Sequence, residues 1–186
     1  MEFKLIAHYF DKIENVASRL EMTKFLSELI EQIPPEEIKQ IIYLLQGQIA
    51  PNFKGREIGF GEKLIAEGIA KTTGFSKKEV NDRFSKVGDL GTVAEELIKT
   101  KKQGALFSTP LTLSKVFSNF EKISQKEGTG SVETKLKLIA ELFNSASPAE
   151  GKYIARIPLG NIRLGIGDST IMDAFALMFA KQETLD

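Results

Sequence analysis

Lys24 to Ile42 reads KFLSELIEQIPPEEIKQII, and Lys137 to Ala155 reads KLIAELFNSASPAEGKYIA. Laid one on the other without a gap, they pair Glu28 with Glu141, Leu29 with Leu142, Pro35 with Pro148, Glu37 with Glu150, Lys39 with Lys152 and Ile41 with Ile154. The register continues through LQGQI against PLGNI, placing Gly47 on Gly160 and Ile49 on Ile162. Upstream, FDKI (Phe10 to Ile13) matches FEKI (Phe120 to Ile123). Downstream, the first copy carries seven extra residues around APNFKGR, and then EIGFGEKLIAEGIA (Glu57 to Ala70) matches RLGIGDSTIMDAFA (Arg163 to Ala176). Matches kept in one order with only short insertions mark an internal duplication.

Within the copies apolar residues recur at helical spacing. Phe25, Leu26, Leu29 and Ile30 form one stripe, Val116, Phe117, Phe120 and Ile123 another, and Ile171, Phe175 and Phe179 a third. Turn signals fall between stripes at Pro34-Pro35, Ala50 to Arg56, Gly88 to Gly91, Ser108 to Pro110 and Gly128 to Gly130. Alternating strand-like runs are scarce. The expected fold is all-α: a compact bundle of about ten to twelve helices with internal pseudo-two-fold duplication. Repeat one spans 3–74 and repeat two 113–180, with a basic connecting segment 75–112 between them and a short linker at 181–186.

The bulk composition excludes several function classes. The chain has 186 residues, no cysteine and a single histidine, His8. A thiolate site, a disulfide framework, a zinc centre and a histidine triad therefore all lack the residues they need. No metal ligand set and no catalytic residue is assigned. The N-terminus MEFKLIAHYFDKIENV carries charges every few residues, unlike a signal peptide, and no apolar run nears the roughly 18 residues of a membrane span. The 25 basic and 25 acidic side chains balance, which argues against binding polyanions through a broadly basic surface. The middle segment 71–110 is the basic one, with 8 basic against 5 acidic residues and the run KTKK at Lys99 to Lys102.

The matched Gly-x-Gly turns call for more than packing, because two glycines before a helix cost backbone entropy and offer no apolar surface. A helix start leaves about four N–H groups unpaired, with partial positive charge, and bare glycines let a phosphate reach them. The candidate contacts are Gly59 and Gly61 before one helix and Gly165 and Gly167 before its match. The second start adds the hydroxyls of Ser169 and Thr170 and the guanidinium of Arg163. Gly88 and Gly91 of VGDLGTVAEEL, and Gly128, Gly130 and Ser131 of EGTGSVETK, extend the set, as does Lys102. One mononucleotide would need one such loop, after a strand; several spread over a duplicated body suit a long, regularly charged ligand. Duplex nucleic acid has its own two-fold relation between strands, so each copy can meet one backbone across a groove, without reading base edges.

YIARIPLGNIRLGIGDSTIMDAFA, REIGFGEKLIAEGIA, KVGDLGTVAEELIKTKKQ, LTLSKVFSNFEKIS and EGTGSVETKLKLIAELF together resemble the N-terminal DNA-binding domain of archaeal-type ATP-dependent DNA ligases. The resemblance runs over nearly the whole chain, and its most specific element is Ile162 to Gly165. It departs from the family at Pro158, where a charged residue is common. The resemblance implies an all-helical domain that grips the minor groove at a nick in double-stranded DNA, in replication and repair. It also implies a monomer, cytoplasmic and nucleoid-associated. ATP and Mg²⁺ belong to the full-length enzyme, and none is expected in this chain, which lacks the family's Lys-x-Asp-Gly adenylation motif.

Two readings stay open for KKQGALF. The resemblance makes Gln103, Leu106 and Phe107 a shortened segment for docking on a sliding clamp, a glutamine with an aromatic plug one turn on. Alternatively Leu106 and Phe107 pack into the domain behind a helix end complemented by the lysines. Lys152, like its match Lys39, is expected on a solvated helix face, and Asp168 and Glu62 are expected to complement helix starts. The rival class is an α-helical interaction scaffold whose glycine turns serve only packing. Salt-sensitive duplex binding separates the two.

Overall fold

The computed structural model describes residues 1–50, 58, 61–101 and 109–183. Among them are ten α-helices: α1 (Phe3–Glu14), α2 (Arg19–Gln32), α3 (Ile38–Leu45), α4 (Glu62–Thr73), α5 (Lys77–Val87), α6 (Leu90–Lys99), α7 (Leu113–Ser124), α8 (Ser131–Ser145), α9 (Pro148–Arg156) and α10 (Asp168–Glu183). Short 3₁₀ turns at Pro35–Glu37 and Ile157–Leu159 precede α3 and follow α9. Pro158 therefore sits just past a helix end, where its missing N–H costs no helical bond. No strand occurs among the described residues; Glu2 and Thr112 form an isolated antiparallel bridge.

Local chemistry sets the helix ends. The Thr112 hydroxyl accepts from the Lys115 amide, and the Asp89 carboxylate accepts from the amides of Gly91 and Thr92. Ser76 and Glu79 form a reciprocal capping box at α5. Gly74 and Gly88 end α4 and α5 in the left-handed conformation.

Helix contacts exchange under the sequence match. α1 packs on α2 as α7 packs on α8, and α1 meets α9 as α7 meets α3. α10 lies on α2, and its match α4 lies on α8, so the last helix of each copy covers the second helix of the other. Phe3 donates its N–H to the Leu111 carbonyl at 2.8 Å and Leu113 to that of Met1 at 3.0 Å, a reciprocal pair about the bridge. The matched glycines Gly47 and Gly160, both at φ 66°, touch: a Cβ on Gly47 would stand 2.9 Å from Gly160 Cα. Matched points meet only near the axis that relates them, so the pseudo-two-fold passes between these two glycines. Around it the fully buried Phe3, Phe10, Phe120, Phe143 and Tyr153 make up much of the core.

The segment carrying α5 and α6 has no second copy in the sequence match, and it breaks the symmetry. α6 packs on α9 in the most extensive helix pairing among the described residues, and Glu150 through Arg156 are all buried. On the matched α3, Lys39 is exposed and Ile42 and Tyr43 are half-buried. The expectation of a solvated Lys152 is therefore corrected. Lys152 is 8% exposed and bonded to Asp11 and Glu14, because α6 and α1 close over the face that stays open around Lys39.

Candidate nucleic-acid interface

Both helix entries singled out in the sequence lie beside the Gly47–Gly160 contact. At α4, Gly61 and Glu62 line a cleft of about 270 Å³ together with Gly88, Asp89, Arg156, Leu159, Asn161 and Arg163. At α10, the first-turn carboxylate of Asp168 accepts from Gln46 Nε2 at 2.8 Å, tying that helix start to the residue before Gly47. Matched points keep the same height along a two-fold axis, so the two helix starts open on one face.

Arg163 reaches the α4 side of this face. It adopts φ 61°, the left-handed region that costs a non-glycine residue on the order of 1 kcal/mol or more, and its Nη2 donates to the Gly88 carbonyl at 3.1 Å. Gly88 is itself left-handed, at φ 70°. The Arg163 side chain is exposed, and Leu164 beside it is buried, anchoring the backbone beneath. Gly165, Gly167 and Ser169 are exposed at the α10 start.

Asp89 and Arg156 form the floor of the cleft. Arg156 Nη2 lies 2.6 Å from Asp89 Oδ2 and Nε 3.1 Å from the same oxygen, while Nη1 donates to Glu14 Oε2 at 2.9 Å. Lys152 Nζ lies 2.8 Å from both Asp11 Oδ1 and Glu14 Oε2, and the Tyr153 hydroxyl is 2.9 Å from the same two oxygens. Burial alone would raise the Asp89 and Glu14 carboxyls. Hydrogen bonds from Arg156 to both, joined by Thr92 at Asp89 and by Lys152 at Glu14, reverse this and hold both carboxyls below the usual carboxylate range. Burial and the negative charge of Glu14 and Asp11 keep the Tyr153 phenol protonated. The cluster joins α1 of one copy to α9 of the other and to the α5–α6 turn.

Two expected contacts, Gly91 and Thr170, are buried. Gly91 is a correction: it is buried in α6, a Cβ there would stand 2.6 Å from Arg156 Cγ and 2.8 Å from the Lys152 carbonyl, and its N–H is already taken by Asp89. Its lack of a side chain serves the α6–α9 crossing. Thr170 is 4% exposed, which turns it away from any surface ligand. Gly128, Gly130 and Ser131 form an open turn into α8, both glycines left-handed. Gly59, Lys102, Gln103, Leu106 and Phe107 lie outside the described residues. Sequence reasoning missed Arg156 and Glu14. An aspartate before LGTVAEEL is the local signal of a helix cap at Asp89, but no periodicity announces the buried cation it faces.

The family model for the DNA ligase N terminus matches residues 2–176. The chain belongs to this family. A DNA ligase of Nitrosopumilus maritimus is 41% identical to it over 180 residues, covering 97% of this chain and 31% of that protein. DNA ligase 2 of Thermofilum pendens is 42% identical over 187 residues, with the same coverage. The DNA ligase of Acidianus ambivalens is 40% identical over 189 residues, covering 96% and 31%. This member of the ligase N-terminal family thus spans about a third of the length of these archaeal relatives. No helix among its described residues is long and apolar enough to cross a membrane, and no three of its described His, Asp or Glu residues gather as a metal site.

Proposed function

We propose that this chain is the DNA-gripping N-terminal domain of an ATP-dependent DNA ligase, binding duplex across the minor groove at nicks without reading sequence. Family membership supports the enzyme class. The observation that carries the mode of binding is the placement of two matched glycine helix entries on one face, either side of the Gly47–Gly160 contact. Each offers unpaired N–H groups and the positive end of a helix to one phosphate backbone. The attraction comes from fixed dipoles and from Arg163 rather than from net charge, which is zero. ATP and Mg²⁺ serve the catalytic part of the full-length enzyme, and the chain by itself, without a Lys-x-Asp-Gly motif, does not take up adenylate.

Fluorescence anisotropy with nicked duplex, intact duplex and single strand at two salt concentrations tests this. Nicked duplex is expected to bind best and to weaken as salt rises. Arg163→Ala is expected to weaken it about tenfold and to reduce the salt slope by about one. Binding indifferent to salt and to Arg163 would leave the scaffold reading.

A further inference from the structure

A body with a perfect two-fold would sit on a duplex in two equivalent poses, related by turning it half round. A nick makes the two directions along the duplex different, because only one strand is interrupted. The pseudo-symmetry of this chain therefore poses a problem of direction, and the two half-sites are chemically unlike in a way that answers it.

Resting on the function proposed above, we infer that the half-site at α4 is the polarity element of the domain: Arg163 and the turn that holds it fix which way the chain faces on a nicked duplex. At α4 the helix start shares its cleft with Arg163, Asn161 and the Gly88–Asp89 turn, and Arg156 stands behind that turn. At α10 the matched places of Arg156, Leu159 and Asn161 are taken by Tyr43, Gln46 and Gln48. Tyr43 stacks on Phe117 and Gln46 binds Asp168, so among the described residues no guanidinium takes the place that Arg156 holds at α4. The first turns differ too: Lys63 and Leu64 of α4 stand where α10 has Ser169 and Thr170. In the sequence match Arg163 itself falls on Glu57, a reversal of charge. The segment that supplies Gly88 is the unduplicated one.

Arg163 is prepared for this role. Its left-handed backbone is anchored by the buried Leu164, and one guanidinium nitrogen is held on Gly88 O, which leaves its other N–H groups for a phosphate in one direction. Arg156 and Asp89 act through the turn as positioning residues. A strand seated at the α4 half-site meets this cation; among the described residues, the strand at α10 meets the Ser169 hydroxyl and the Asp168 carboxylate instead. Exchanging the strands is not neutral.

The chain has no cysteine, so Lys78→Cys on the exposed surface of α5 carries a single donor dye. The acceptor is placed on one end or the other of a short duplex nicked at its centre, and anisotropy on the same samples reports binding. Transfer is expected to be strong to one end and weak to the other, with a pose ratio of roughly ten to one or more, which corresponds to about 1.4 kcal/mol. Arg163→Ala, and separately Arg163→Gln, at saturating DNA should bring the two ends towards equality while the duplex stays bound. Equal transfer in the unsubstituted chain would overturn the inference, as would an undiminished contrast in both Arg163 variants. Absence of duplex binding in the anisotropy channel would instead bring down the functional reading beneath it, and is recognised separately.

Discussion

α3 and α9 come from the same stretch of pattern, Pro-x-Glu followed by a lysine and an isoleucine two residues on, yet they occupy opposite environments. On α9 the lysine is buried among Asp11, Glu14 and Tyr153, and Arg156 is closed in by Asp89. On α3 the matched lysine is exposed, its Nζ 5.8 Å from the ring centre of Tyr43, which takes the place of the arginine. The difference arises from α6, laid on one copy only. Duplication preserves the helix and its core-facing side; the outer side answers to whatever the intervening segment puts there.

The comparison can be broken most sharply at its charged centre. Arg156→Ala leaves Asp89 a buried carboxylate without its cation and takes one partner from Glu14, and should cost about 3–5 kcal/mol in urea unfolding. Tyr43→Ala at the matched place on α3 should cost about 1–2 kcal/mol, because that ring is half-exposed. Equal losses would remove the distinction. Next, Gly91→Ala drives a methyl into Arg156 and the Lys152 carbonyl, and should lower stability by about 1–3 kcal/mol by the same assay. At Gly88 an added Cβ meets nothing within 4 Å, so alanine there pays only the left-handed backbone penalty, about 1 kcal/mol.

Acid acts more gently on the same cluster. The Asp89 and Glu14 carboxyls are depressed in the folded state, so below about pH 5 the unfolded chain takes up more protons. Their stabilisation is present above the ordinary carboxylate range and drains away as pH falls through and below it. Urea unfolding at pH 7, 5 and 3.5 should show this loss in the unsubstituted chain and a shallower one in Asp89→Asn. An equal slope in both would show that Asp89 contributes no pH dependence. The smallest effect belongs to the open helix: Lys39→Ala should stay within about 0.5 kcal/mol, whereas Lys152→Ala should exceed it severalfold.

The candidate face was partly readable. Gly61, Gly167 and Arg163 stood out because glycine before a capped helix and a cation beside it are local patterns, and the structure brings Gly61 and Arg163 into one cleft. Gly91 misled because a glycine that admits a phosphate and a glycine that admits a neighbouring helix look alike in a string of letters. Lys152 misled for a related reason: its match in the other copy is exposed, and pairing by sequence carries no information about an unpaired segment lying over one copy.

The sequence by itself determined the helices, their caps, the duplication and the family, since each depends on residues a few places apart or on order along the chain. The match sets Gly47 on Gly160, but that this pair meets at the axis is a finding of the structure. Only the tertiary structure decided that the last helices cross over to the opposite copy and that α6 seals α9 alone. It alone placed the buried Asp89–Arg156 pair, with the half-buried Glu14 beyond it, under the cleft. Such contacts join residues 67 to 142 positions apart. Their stability depends on excluding water from charges on three separate helices at once, a condition no local pattern encodes.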